Sequence, residues 1–274
     1  MPLSPHAFET WMPLAAVVLA AVSLGLHRLK HTPTGMSRGE TLSNVAIFLI
    51  WRFVFFAGGI ALQFAVFSWI ASFVPWKLGD SIGVFLAAVL AADFCYYWKH
   101  RGEHDLNLLW AQHSVHHSSL EYNLSTSLRL PWLGSYLNWP FFIPALFLGF
   151  SAPQIILGHQ VVLAYQYLVH TEYVGRLSWL EKIFNTPSHH RVHHGSNPEY
   201  LDKNYGGIFI FWDKLFGSFK EETFHPRYGT VQPMESKNPF VINFRPWVEL
   251  WGHVKKRRGI LARAKVLITA PRNT

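Results

Sequence analysis

The chain has 274 residues, 50% of them hydrophobic and 16% aromatic, and carries a formal net charge of +8. That is enough for one substantial domain, and the apolar share is too high for an ordinary soluble one. The single cysteine, Cys95, excludes an internal disulfide framework and reads as a small buried hydrophobe.

The apolar residues come in blocks rather than at a strand or amphipathic-helix period, the pattern of membrane helices. The first block covers residues 11–26. Its positive charges follow the apolar run and no small-residue cleavage pattern is evident, so it reads as an anchor or span rather than a signal peptide. The second covers 45–74, interrupted by Arg52 and Gln63, and the third 82–98. Residues 136–170 are apolar but broken by Pro140, Pro144 and Pro153. At about 20 residues per span they are too few for two crossings, and they predict a helical hairpin embedded partway, turning near Gly149 to Pro153. The expected fold is an all-α integral membrane protein with four to five membrane-embedded helices. One domain is predicted: membrane helices over 11–98, a membrane hairpin over 136–170, a helical cap from 99–135 and 171–249, and a tail over 250–274.

Charge sets the orientation. Residues 27–44 carry Arg28, Lys30 and Arg38 against Glu40, whereas the loop at 76–80 is nearly neutral. The positive-inside rule places the first loop in the cytoplasm. The second block then crosses outward and the third returns, so the cap faces the cytoplasm. After Glu249 no acid follows, while Lys255, Lys256, Arg257, Arg258, Arg263, Lys265 and Arg272 alternate with Ile260, Leu261, Val266, Leu267 and Ile268. Such a tail suits an anionic lipid surface, and no nucleic acid partner is expected.

Nine of the sixteen histidines lie in three tight clusters: His100 and His104; His113, His116 and His117; and His189, His190, His193 and His194. His170 stands alone before the third. Residues at i, i+3 and i+4 share a helix face. His100 therefore pairs with His104, His113 or His116 with His117, and His190 with His193 or His194. Imidazole is the commonest metal ligand and suits iron, zinc and copper. Nine or ten imidazoles are too many for one metal and about right for two, with His189 the least certain member. Asp93, Glu103, Asp105 and Glu172 are candidate acids to orient the rings or serve catalysis, and Asn123, Asn185 and Asn204 are candidate hydrogen-bonding supports. His159, Gln160 and Gln166, inside an apolar stretch, read as tunnel-lining or helix-bridging groups. His6, His27, His31, His225 and His253 read as surface residues.

An iron pair held by nitrogen at a membrane surface points to O2 activation, with a lipid as the substrate that reaches such a site. Hydroxylation and desaturation fit the same site. A metal transporter or sensor places its ligands near the bilayer midplane, and haem needs only one or two axial histidines; both leave these clusters unexplained.

The spacings His100-x3-His104, His113-x2-His116-His117 and His190-x2-His193-His194 resemble the three histidine boxes of the fatty acid hydroxylase and sterol desaturase superfamily. So do Asp93-Phe-Cys-Tyr-Tyr-Trp before the first box, Asn185-Thr-Pro-Ser before the third, and Asp202-Lys-Asn-Tyr-Gly206 and Trp212-Asp-Lys-Leu-Phe-Gly217 after it. The resemblance covers about residues 85–220. It implies a membrane non-haem di-iron oxidoreductase with two Fe ions, O2 and external electrons, in which zinc readily replaces iron on purification. Within the superfamily, His116-His-Ser-Ser119, Glu121-Tyr-Asn-Leu-Ser-Thr-Ser-Leu-Arg129 and His170-Thr-Glu172 are similar to the alkylglycerol monooxygenase branch. That implies an ether lipid as substrate and tetrahydrobiopterin as electron donor. The chain departs from that branch in being shorter and in carrying Asp105 where Glu is expected. No His-Pro-Gly-Gly signature of a fused cytochrome b5 is present, so the expected donor is a separate protein or a pterin. Oligomeric state is not legible.

Overall fold

The computed structural model describes residues 35–271, with Gly25 before them. Apart from Gly25, the apolar block at 11–26 lies outside the described residues, as do Arg28 and Lys30. Among those described, the scaffold is helical, with one isolated antiparallel bridge between Phe184 and Phe209.

Helix α1 (Arg38–Ser72) has 35 residues, about 52 Å at 1.5 Å per residue, against a hydrocarbon core of about 30 Å. The surplus lies at its start. Ser37 caps the helix by accepting from the Glu40 N–H, and the first turns bury Glu40, Thr41, Ser43 and Asn44 rather than apolar side chains. Arg129, fully buried, grips this end by donating to Glu40 Oε2 at 2.8 Å and Asn44 Oδ1 at 3.1 Å. Farther on, α1 widens into a π-helical turn at Trp51–Phe55, around the Arg52 that interrupts the apolar block. Phe53, Val54, Phe64, Trp69 and Phe73 face outward, an apolar surface of the kind that contacts lipid or protein.

Helix α2 (Ile82–Asp105) starts at a Ser81 cap. The hydropathy ends this segment at residue 98, but the helix continues unbroken to Asp105. Two i,i+4 ion pairs brace the extension: Lys99–Glu103 at 2.8 Å and Arg101–Asp105 at 3.4 Å. His100 and His104 therefore ride on the apolar helix itself. Both α1 and α2 are long and apolar enough to cross a membrane.

Helix α3 (Asn107–His117) follows α2 almost directly. The hairpin comes next, with its two limbs unlike. After the short α4 (Gly134–Leu137), Pro140 sits in the first turn of a 3-10 piece over Trp139–Phe142 and Pro144 in that of α5 (Ile143–Phe147), where proline costs a helix least. The return limb, α6 (Ala152–Val169), is continuous, opened by a Ser151–Gln154 capping box. Gly149 makes the turn at φ +96°, where any side chain would strain. Four shorter helices complete the chain: α7 (Pro187–His193), α8 (Phe211–Phe216), α9 (Pro239–Lys255) and α10 (Ile260–Ile268). The last buries no residue; Ile260 and Leu261 are 85% and 87% exposed.

Helices α2 and α6 meet at small residues, Ala88, Ala92 and Gly158. A Cβ on Gly158 would lie 2.9 Å from the Ala88 carbonyl oxygen and 3.2 Å from Ala92 Cβ, so the backbones approach as in small-residue membrane contacts. Gly158→Val is expected to cost about 1–3 kcal/mol by overpacking. Thermal unfolding in detergent checks this, with Gly79→Ala, which meets nothing within 4 Å, as the unaffected control.

Candidate metal centre

Four elements aim histidines at one region: the end of α2, the face of α3, the end of α6 with His170, and α7. Two groups result. His100, His104, His113, His117 and His193 form one, and His116, His170, His190 and His194 the other; within each, the available ligand atoms lie within 4.8 Å of one another. All nine rings are largely buried.

The tautomers follow from what lies behind the rings. A carbonyl oxygen only accepts, so an imidazole nitrogen facing one carries the proton. His100 Nδ1 donates to the Tyr205 carbonyl at 2.9 Å, His193 Nδ1 to Lys203 at 3.0 Å, His116 Nδ1 to Arg129 at 3.3 Å and His170 Nδ1 to Gln166 at 2.6 Å. The Asp202 carboxylate does the same for His104 (Oδ1, 3.4 Å), and Glu103 Oε2 lies 3.3 Å from His113 Nδ1 without a hydrogen bond. Each Nε2 is then a bare lone pair. These lone pairs face one another: His100 and His113 Nε2 lie 3.1 Å apart, as do His116 and His170. The same spacing recurs between His113 and His117 and between His170 and His190. Nε2 of His104, His193 and His194 is buried with no partner.

Two facing lone pairs repel unless a cation lies between them. Metal–nitrogen bonds of about 2.1 Å put adjacent ligand nitrogens about 3.0 Å apart at a right angle and about 3.4 Å at the tetrahedral angle. The 3.1 Å spacings fit within that interval. Burial keeps His113, His116, His117, His190, His193 and His194 well below the ordinary imidazole pKa, reinforced by neighbouring rings, and holds His170 at about 4. Neutral imidazole is the ligating form. The donor set is all nitrogen, which suits iron, zinc, copper or nickel.

The other candidate residues lie around this core. His189 is in neither group; its Nδ1 faces the Phe184 carbonyl at 3.2 Å. Glu103 is buried against His113, and its Oε1 accepts from Gln112 and Asn138. Asp93 spends its carboxylate on Ile208 N, Phe209 N and Trp212 Nε1, fastening the loop that supplies the Tyr205 carbonyl. Asp105 pairs with Arg101 at the surface. Glu172 accepts from Tyr228 at 3.1 Å and faces His225 Nε2 at 2.8 Å. Asn123 folds its own turn by accepting from Ser125. Asn185 donates to Gly206, and Asn204 to His189 and Lys220 carbonyls. The carbonyls of Arg129, Gln166, Lys203 and Tyr205 were not predictable, since a backbone oxygen has no residue signature. Asp202 and Tyr205 lie in a motif that marks the resemblance, without a role to be read from it.

A cavity of about 500 Å³ opens onto both groups, touching His113, His116 and His170. It runs between α1, α2 and α6, lined by apolar residues such as Trp51, Phe56, Ile60, Ile156 and Leu163, with Lys99, Glu103, His159 and Gln160 among polar residues that also include Gln63, Ser127, Ser135, Asn138 and Gln166.

Residues 85–218 match the fatty acid hydroxylase family. The chain is 42% identical over 199 residues to the alkylglycerol monooxygenase of Homo sapiens, across 72% of this chain and 44% of that enzyme. It is 27% identical over 218 residues to an ornithine lipid hydroxylase of Rhizobium tropici, across 73% of this chain and 64% of the relative. A Delta(7)-sterol 5(6)-desaturase of Aspergillus fumigatus is 26% identical over 186 residues, covering 60% and 56%. The chain thus spans less than half the length of the alkylglycerol monooxygenase it matches. No solved structure matches it.

Two measurements test the centre. Elemental analysis is expected to find about two metal ions per chain, and His190→Ala, which opens only the four-histidine group, about one. The metal-free protein is expected to lose thermal stability as pH falls. Unfolded histidines take up protons from about 6.5, whereas His170 does so only near 4, so the unfolded state binds more protons across that window. Melting temperatures that stay flat from pH 7 to pH 4.5 would contradict this.

Proposed function

The chain belongs to the fatty acid hydroxylase family, and from that premise we propose that it is a membrane di-iron monooxygenase that hydroxylates a lipid C–H bond. The overall reaction is RH + O2 + 2 e⁻ + 2 H⁺ → ROH + H2O. The observation that carries this reading is one apolar cavity reaching both groups of bare imidazole nitrogens.

The nine imidazoles of the two groups would hold two irons, and the bound pair would supply the oxygen-activating redox chemistry. The protein's share is geometric. Acceptors behind five of the rings, His100, His104, His116, His170 and His193, fix their tautomers and directions. The walls of α1, α2 and α6 hold an alkyl chain against the site and keep water out. An ether lipid of the alkylglycerol kind is the favoured substrate, by kinship with the enzyme named for it. The electrons come from a separate donor, a protein or a reduced pterin.

The site faces the cytoplasm in this reading. The start of α1, the end of α2 and the histidine region are on one side of the fold, joined by Arg129 and Glu40. The basic residues of α9 and α10 flank exposed Ile260 and Leu261, as a cytoplasmic surface on anionic lipid requires. The cap then consists of α3, α7, α8 and the loops between them.

Lipid mass spectrometry of cells grown under 18O2 tests the reaction, comparing wild type with His193→Ala. A lipid gaining one 18O in the wild type alone is the expected result. A lipid two mass units lighter and free of 18O would instead make the protein a desaturase.

A further inference from the structure

Among the described residues, Lys99 is the only lysine or arginine lining the cavity. Its Nζ lies 2.8 Å from Glu103 Oε2 and 4.6 Å from the centre of the Tyr96 ring. An ammonium has three donors, and Glu103 occupies one. The His159 ring lies on Tyr96 as well, at 6.1 Å between centroids. Its Nε2 is buried without a partner, as is Gln160 Oε1 beside it. A set of unused donors and acceptors therefore sits in a largely apolar cavity, next in sequence to His100.

Such groups are costly to bury unless something meets them. A plain hydrocarbon meets none. A carboxylate or phosphate would satisfy the ammonium but bring a second anion against Glu103, with no other lysine or arginine on the wall. A hydroxyl both accepts from Lys99 and donates to Glu103 or His159. We propose that Lys99 and Glu103, with His159, form a headgroup subsite for a neutral, hydroxyl-bearing lipid, and that Lys99 selects such lipids over fatty acids of equal chain length. This rests on reading the cavity as the lipid site.

The test is equilibrium binding to the full chain, zinc-loaded in nanodiscs so that no turnover occurs. The probes are 1-O-hexadecylglycerol, hexadecyl methyl ether and hexadecanoic acid. The wild type is expected to bind the diol at least about tenfold more tightly than the other two, the worth of one hydrogen bond to a charged group. Lys99→Met should erase that preference with the methyl ether unchanged and zinc still at wild-type content. If Lys99→Met does not fold, His159→Phe carries the test with an expected loss of about three- to tenfold for the diol alone. Equal wild-type affinity for all three probes, or a diol preference that survives both substitutions, overturns the subsite. So does tightest binding of the acid. Discrimination without any 18O-labelled lipid in cells would leave the subsite standing and remove the monooxygenase reading; no binding of any probe removes both.

Discussion

The fold is organised around lone pairs that repel. Nitrogens 3.1 Å apart in a dry interior, each with its proton committed to a carbonyl behind it as in His116 and His170, have no arrangement among themselves that satisfies them. An unmet buried polar atom costs about 1–3 kcal/mol, and this region gathers several. The protein could relieve the conflict by flipping a ring, but the acceptors behind the rings forbid it. A cation in each group turns the repulsion into ligation. Metal affinity and folding would then be coupled, because the same carbonyls that make a metal-free site unfavourable would make a filled one rigid.

Those carbonyls come from separate segments, and two of them, from Tyr205 and Arg129, are pinned by a buried charge with several partners. Asp213 accepts from Tyr205 N, Gly206 N and Ser218 Oγ, and burial lifts its pKa to about 6. Asp93 ties the next residues to α2. Arg129 accepts His116 through its carbonyl while its guanidinium bonds Glu40, Asn44, Ser118 and the Val115 carbonyl. Buried charges destabilise unless fully engaged. Asp93 and Asp213 each accept several hydrogen bonds and Arg129 makes four through Nε and Nη1, so the cost goes into fixing where a carbonyl points.

Much of this was legible in the sequence because it is written in residue types. Histidine at i, i+3 and i+4 announces a ligand face, and the nine histidines of the two groups were all candidates. The apolar blocks gave α1 and α2, and three prolines gave a broken hairpin. What stayed hidden has no residue signature. Hydropathy falls at residue 98, yet the α2 backbone ignores it because ion pairs one turn apart suit a helix as well as leucines do. Asp93 carries a charge in an apolar run, which marks it as important without saying that it clasps a loop more than a hundred residues away. The sorting of His116 and His117, adjacent in sequence, into different groups follows from the 100° step between neighbours on a helix, but which group each joins depends on where α6 and α7 arrive.

The continuity of α2 links the two halves of the chemistry. Had the helix ended at residue 98, His100 and Lys99 would sit on a loop, free to shift relative to the cavity. Instead Tyr96, Lys99, His100 and Glu103 share one helix, successive turns of the same rigid element. Tyr96, Lys99 and Glu103 line the cavity, His100 belongs to the five-histidine group, and Glu103 touches both Lys99 and the Nδ1 of His113. A lipid held by the first set is therefore placed relative to the second by covalent geometry, to within the small flexing of two helical turns. The cavity also reaches His116 and His170 of the other group. In the proposed reading a substrate would thus be presented to the junction of the two histidine groups.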